Sequence, residues 1–387
     1  MKILIIHNNY QQRGGEDAVV EAEAALLEAA GHEVQLEEVT NRSISGPAAK
    51  AQAFLNASYD VTRKAWLAKL VGNSRPDVVH VHNFFPLITP AVHEAAAELG
   101  LPVVQTLHNY RLLCANAQFL RNHSVCEKCL GGHRYWGIVH RCYRGSFAAS
   151  LSVVRMQHRA ATRGTWHKHV HCFIALTDFA RQKFISGGLP ADRIVVKPNF
   201  VFREVPRPQA RAGALFVGRL SPEKGGELLL RAWQELDDIP LTIVGDGPES
   251  EKLKSMATAN VHFAGQLPPD VVAHYMRTTQ ALIVPSIWYE GFPMTVVEAF
   301  ASELPVIASD LGSLSEIIIS GRNGAHFPPG DPKGLVKAVR GLFSNSRALD
   351  ELGKNARADY ENYYAPSINL KQLEEIYSKA IEVSHRI

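Results

Sequence analysis

The chain has 387 residues, 46% hydrophobic and 20% charged, with a formal net charge of +3. That balance excludes a disordered chain, and the length exceeds the roughly 250–300 residues at which single cores stop growing, so two domains are expected. The charge is too small to argue for nucleic acid and no nucleic-acid-binding module is recognisable, so no such partner is expected.

The opening run Met1–Ile6 is apolar but breaks at His7-Asn8-Asn9, too short for the core of a secretory signal. No stretch approaches the roughly 18–20 apolar residues that span a bilayer. The chain is therefore expected in the cytoplasm, where thiols stay reduced, and its five cysteines call for a reading other than disulfides. Short apolar runs at Lys2–His7, Val34–Val39, Asp77–His82, Val103–His108 and Cys172–Thr177 read as strands buried on both faces. Helical periodicity fills the gaps at Ala18–Ala30 and Pro90–Glu98. This is the pattern of an α/β domain with a parallel sheet.

Between the fourth and fifth of these strands lies a Cys-rich insertion at about 110–146. Cys126 and Cys129 form a C-x2-C pair, with Cys114 and Cys142 on either side. That spacing fits a structural four-thiolate zinc site, which would fix a loop that packing does not; four unconnected thiols are the alternative. A redox pair fits less well, since Cys126 does not open a helix after a strand. From Lys128 to Lys168 there is no acidic residue, while Arg134, Arg141, Arg144, Arg155, Arg159 and Arg163 all fall there. These cations interleave with aromatic and apolar residues. They suit either a peripheral contact with anionic lipid at the inner face of a membrane or a plain solvated helix face.

The section from Lys197 to Pro208 is Pro-rich and reads as a linker. Strands resume at Ala214–Gly218, Leu241–Gly245, Val261–Gly265, Ala281–Pro285 and Pro305–Ser309, and the chain closes on a helix from Pro366. The expected organisation is therefore an N-terminal domain 1–198, a C-terminal domain 199–365, and a terminal segment 366–387.

The segment Glu290-Gly291-Phe292-Pro293-Met294-Thr295 follows a predicted strand and opens a helix. Pro293 suits a first helical turn, Gly291 permits close approach of a ligand, and the free N–H groups of that turn favour phosphate. Glu290 and Glu298 cannot be there to bind phosphate, but they can accept hydrogen bonds from sugar hydroxyls. Arg219 and Lys224 flank a turn after the first strand of this half, at the usual ligand edge of an open α/β sheet. Any one of these residues alone could be an ordinary surface charge. Their joint placement on equivalent strand ends argues against that.

The spacing of Glu290 and Glu298, with Gly218-Arg219-Leu220-Ser221-Pro222-Glu223-Lys224-Gly225 and Gly245-Asp246-Gly247-Pro248-Glu249, resembles the family 4 glycosyltransferases of the GT-B fold. The likeness spans nearly the whole chain and is strongest from Leu215 to Ile319. Gly14-Gly15-Glu16 resembles the family's glycine loop and Thr106-Leu107-His108 its strand-end histidine, but Asn8–Arg13 stands where many relatives have prolines. The resemblance implies two doubly wound Rossmann-like domains facing a central cleft, with the terminal helix crossing back to the first. It implies a retaining transferase that uses a nucleoside diphosphate sugar, UDP- or GDP-linked, and a glycan or polyprenyl-diphosphate-linked acceptor. Arg219 and Lys224 would neutralise the departing diphosphate, and no metal is implied for catalysis. Glu298 would hold the ribose hydroxyls, Glu290 the transferred sugar, and Gly291, Phe292, Met294 and Thr295 would offer backbone groups. Gln266 and Leu267 would meet the base with Gly245 close by, and His108 would orient the sugar; a satisfied core histidine is the alternative for His108. Two other functions share the fold. A nucleotide-sugar epimerase would need acid–base carboxylates in both halves, and the first half offers no clear pair. A silent scaffold would have no reason to keep Arg219, Lys224, Glu290 and Glu298.

Overall fold

The computed structural model describes residues 1–11, 14–202 and 209–385. Half of the predicted linker, 203–208, and part of the segment before the glycine loop, 12–13, lie outside the described residues. Two compact units are present: one of Met1–Phe119, Glu127–Asn199 and Asn369–Ile387, the other of Leu120–Cys126 and Phe200–Ile368.

The first unit holds strands β1 (Lys2–Asn9), β2 (Glu33–Thr40), β3 (Val78–Asn83), β4 (Val103–Leu107), β5 (Cys172–Ala175) and β6 (Ile194–Val196). They pair in parallel in the order β2-β1-β3-β4-β5-β6. The second unit holds β7 (Ala214–Val217), β8 (Leu241–Val244), β9 (Val261–Gly265), β10 (Ala281–Val284), β11 (Val306–Ser309) and β12 (Gly324–Phe327). These too are parallel, in the order β9-β8-β7-β10-β11-β12. Both orders are those of doubly wound nucleotide-binding folds, with a topological switch between β1 and β3 in one sheet and between β7 and β10 in the other. The helices used below are α1 (Gly15–Ala29), α2 (Gly46–Asn56), α3 (Phe147–Arg163), α4 (Gly226–Trp233), α5 (Met294–Ala301) and α6 (Pro366–Ser384).

The second sheet shows why its strands read as unbroken apolar runs. Leu215, Leu282, Val284, Val306 and Ala308 enter one core with Val296, Val297 and Phe300 of α5. Their neighbours Ala214, Phe216, Ala281, Ile283 and Ile307 enter the other core with Leu229, Leu230 and Trp233 of α4. Successive side chains leave a strand on opposite faces, and both faces are covered, so every position is apolar.

In the two six-stranded sheets, the strands β6 and β12 were not expected. Both are sheet edges; β6 has three residues and β12 the weakly strand-forming Gly-Ala-His-Phe. The basic stretch is largely the helix α3, started by Ser146 accepting from the Ala149 N–H at 3.3 Å and ended by Gly164 at φ 69°. It packs through Val153, Val154, Met156 and Ala160. Arg163 spends its charge on Glu94, with Nε and Nη2 donating at 2.8 and 2.6 Å. The terminal helix α6 belongs to the first unit, where it buries Leu373, Ile376 and Tyr377.

Candidate active site

The switch between β7 and β10 is where an open sheet of this order leaves a crevice beyond its strand ends. The loops there approach closely. A Cβ on Gly225, at φ +72°, would come within 2.0 Å of the Pro285 carbonyl oxygen, and one on Gly245, at φ +135°, within 1.9 Å of the Gly218 oxygen. Only glycine fits either place. The close approach lets the turn Pro222–Lys224 lie against the chain leaving β10, and the Ile287 N–H donates to the Glu223 carbonyl at 3.0 Å.

That contact sets Lys224 on Glu290. Lys224 Nζ donates to Glu290 Oε1 at 2.8 Å and Oε2 at 3.1 Å, and sits 5.5 Å from the Trp288 ring centroid. The Ser286 hydroxyl donates to Glu290 Oε1 at 2.6 Å. The Glu290 side chain is 5% exposed and that of Lys224 27%. The carboxylate is sealed while its ammonium partner keeps an open side. Ser286 was not anticipated; its signal in the sequence is a hydroxyl at a strand end four residues before a carboxylate.

The remaining predicted residues of this unit fall into three groups. Arg219 is exposed, and among the described residues its guanidinium has no partner. Gly218 makes no demand for glycine, since a Cβ there would meet only ordinary contact at 3.5 Å. The Gly245 N–H donates to the Gly265 carbonyl at 2.8 Å, which brings the turn with exposed Gln266 and half-buried Leu267 beside Gly245. Pro293 stands just before α5 as its N-cap, one residue earlier than expected, and no side chain caps that amino end. Gly291, Thr295 and Glu298 are half-buried. Phe292 and Met294 are half-buried too, with side chains against the core, which leaves their backbone groups as the ones available to a ligand.

In the first unit the strand ends carry imidazoles. His80 and His82 alternate onto one face of β3, ring centroids 4.1 Å apart. His82 Nδ1 and His108 Nε2 share a hydrogen bond of 2.9 Å, with the rings stacked at 5.2 Å. His80 is bonded on both nitrogens, to Tyr377 OH at 2.9 Å and Thr106 Oγ1 at 2.7 Å. Burial, then neighbouring charge, pushes the His80 pKa down to about 3 and holds His82 and His108 well below the usual range. These rings are neutral, and a strand-end imidazole of this kind can accept or donate a hydrogen bond but carries no charge to a ligand.

The glycine loop differs from expectation. Gly14 is the N-cap of α1, and its N–H already donates to Asp17 Oδ2 at 2.7 Å. His7 Nε2 lies 2.8 Å from Asp17 Oδ1. Burial opposes the Asp17 charge, but the bonds from His7 and the Gly14 N–H outweigh it and hold the pKa below its ordinary value. Gly15 is the first residue of α1. The sequence reading missed His7, Asp17 and His82, for which the only sign was polar residues inside apolar strand and helix patterns.

Among the described residues, Cys114, Cys126, Cys129 and Cys142 do not form a group of three or more with ligand atoms within 4.8 Å of one another. Among the described residues, the one group of three or more His, Cys, Asp or Glu side chains with ligand atoms within 4.8 Å of one another is Glu23, His80 and His82. Cys114 is buried, its thiol donates to Asn116 Oδ1 at 2.9 Å, and burial raises its pKa, as for a packed thiol. The loop is held by apolar packing that its irregular pattern hid: Tyr110, Leu112, Leu113, Ala115 and Phe119 are all buried. The Glu23–His80–His82 group does not suit a metal. Both His80 nitrogens are taken, and Lys197 Nζ already sits 2.5 Å from Glu23 Oε1 in the cation's place.

Residues 199–359 match the family model for glycosyl transferases group 1, and residues 13–204 match that for glycosyltransferase family 4. The chain is 32% identical over 228 residues to a phosphatidyl-myo-inositol mannosyltransferase of Mycobacterium leprae, covering 55% of this chain and 60% of that one. It is 33% identical over 156 residues to the D-rhamnosyltransferase WbpZ of Pseudomonas aeruginosa, covering 39% and 41%. These matches thus span less than two thirds of the relatives' own lengths. Among solved structures it resembles a sucrose-phosphate synthase from Thermosynechococcus elongatus, with TM-score 0.73, 17% identity and 98% of both chains covered. It also resembles HepE of Anabaena in complex with UDP, with TM-score 0.70, 18% identity, and 98% and 100% covered. With each half matched by its own model and both sheets wound as in those structures, the chain belongs to the family 4 glycosyltransferases of the GT-B fold.

Proposed function

We propose that this chain is a retaining transferase that moves a hexosyl group from a nucleoside diphosphate sugar, UDP- or GDP-linked, to a glycan or lipid-linked acceptor. The observation that carries the reading is the part-open ammonium of Lys224, held on buried Glu290 at the switch of a nucleotide-binding sheet. As the bond to the anomeric carbon breaks, negative charge grows on the leaving phosphate oxygen. A fixed cation there stabilises the transition state more than the ground state. Arg219, exposed and without a partner among the described residues, supplies a second cation. The amino end of α5, uncapped by any side chain, supplies N–H dipoles. The reading asks no divalent ion of the diphosphate.

Glu298 takes the ribose hydroxyls, Glu290 holds the Lys224 ammonium in place, and Gly245, Gln266 and Leu267 take the base. His108 orients the sugar as a neutral hydrogen-bonding ring. The acceptor hydroxyl attacks on the face the leaving group vacates and its proton passes to a phosphate oxygen, so the reading assigns no enzyme nucleophile. That HepE was solved with UDP and with UDP-glucose makes uridine donors the first to try. Among the described residues no helix is long and apolar enough to cross a membrane, and membrane contact in this reading is peripheral, through exposed cations of α3 such as Arg155 and Arg159.

Turnover of Lys224→Ala and Glu298→Ala, measured on a donor identified by thermal shift, tests these roles. Each variant is expected to keep its melting temperature within a few degrees and to lose about 10²–10³-fold in turnover. Wild-type turnover in either would remove that residue from the mechanism.

A further inference from the structure

A cavity of about 460 Å³ lies in the first unit, within the size range of small-molecule sites. Its wall carries Lys50, Arg111 and Arg144 and no carboxylate. Among the described residues none of these cations forms a salt bridge with an Asp or Glu, though the charges of Arg111 and Glu16 act on each other. Arg111 is fixed in place. Its guanidinium carbon lies 5.1 Å from the Phe85 ring centroid and 4.8 Å from that of Tyr143, and its Nη1 donates to the Ala115 carbonyl at 3.0 Å. A planar fork held this way, with donors to spare, is matched to a phosphate group.

The rest of the wall is apolar, with Ile44, Ala51, Phe54 and Pro86. Ala51 and Phe54 come from α2, a helix that buries none of its residues. Leu55, next to Phe54, is 61% exposed, and Phe147, between the lining residues Ser146 and Ala148, is 57% exposed. The apolar side of α2 has thus found no full cover in the fold. Asn83, Phe85 and Arg111 also line the smaller recess that contains His108, so the two hollows share a wall.

We propose that this cavity binds a phosphate or diphosphate ester of a hydrophobic alcohol, its head on Arg111, Arg144 and Lys50 and its hydrocarbon along Phe54 and α2. A sugar phosphate alone would leave the apolar wall wet, and a neutral lipid would leave Lys50 and Arg144 without a counter-charge. Calling this ester the acceptor rests on the transferase reading above; the class of ligand does not.

Calorimetric titration of the full chain with geranyl phosphate, geraniol, inorganic phosphate and, separately, UDP and GDP tests the proposal. Geranyl phosphate is expected to bind at least about tenfold more tightly than geraniol or inorganic phosphate. Lys50→Ala/Arg144→Ala, at exposed positions where folding is not at stake, should weaken the ester about tenfold and leave geraniol unchanged; Phe54→Ser should weaken both. Geraniol binding as tightly as the ester would overturn the anionic half of the proposal, and inorganic phosphate binding as tightly would overturn the hydrophobic half. A chain that binds UDP or GDP but not geranyl phosphate overturns the ligand class and leaves the transferase reading standing. One that binds geranyl phosphate but neither nucleotide upholds the ligand class and sinks the transferase reading.

Discussion

Each unit contains a lysine–glutamate pair near the strands around its switch, and the two pairs differ in one respect. Lys197 and Glu23 are both 0% exposed, and Lys197 also donates to Asn369 Oδ1 of α6 at 3.2 Å. Lys224 is 27% exposed over a Glu290 that is sealed. The first ammonium is closed off by protein on every side and can answer to nothing that arrives; the second has a free face. The same contrast runs through the neighbouring groups: neutral imidazoles around the closed pair, and Arg219 with an uncapped helix end near the open one. The pairs come from different elements of similar sheets, and access decides whether each is structural or available to a ligand.

The comparison can be broken by deleting each ammonium. Lys197→Met leaves Glu23 buried without its partner and is expected to cost about 3–5 kcal/mol in a urea unfolding series. Lys224→Met keeps a hydroxyl on Glu290 and an open side to solvent, and should cost no more than about half of that. Equal costs would mean that exposure does not separate the pairs.

A smaller effect is expected from pH. The His80 pKa is held near 3, and those of His82 and His108 well below the usual range, mainly by burial. In the unfolded chain these rings take up protons near their ordinary pKa of about 6.5. Their folded values are depressed, so the unfolded state binds more protons below that pH. Stability is full above about 6.5 and falls progressively as pH drops toward 3. The carboxylate of Glu94, held down to about 2 because bonds from Arg163 outweigh its burial, loses its contribution only below the ordinary carboxyl range, so pH 6.5 to 5 isolates the histidines. Hydrogen-exchange protection, corrected for intrinsic rates, should fall across β3 and β4 in that window and hold across β7 and β10. Parallel losses in both units would contradict the assignment.

Much of this contrast was not legible in the sequence, although the sheets were. Strands covered on both faces are apolar at every position, so β1, β4, β7 and β10 stand out, while the edge strands β6 and β12 lack that signature. Lys224, Glu290 and the glycines around them could be read as a set because turn and helix-start chemistry is local. That Lys224 and Glu290 bond to each other could not, because 66 residues separate them. The His82–His108 bond, across 26 residues, was hidden for the same reason. The zinc reading of the cysteines rests on spacing alone, while the buried Tyr110, Leu113 and Phe119 of the same loop follow no helix or strand period.

The central claim, that the free face of Lys224 receives a diphosphate, is tested most directly by calorimetric binding of UDP and GDP to the wild-type chain and to Lys224→Ala, with the nucleosides as controls. The account predicts that one diphosphate binds the wild type and is weakened at least about tenfold by the substitution, while nucleoside binding is unchanged. A variant that binds the diphosphate as tightly as the wild type would contradict it.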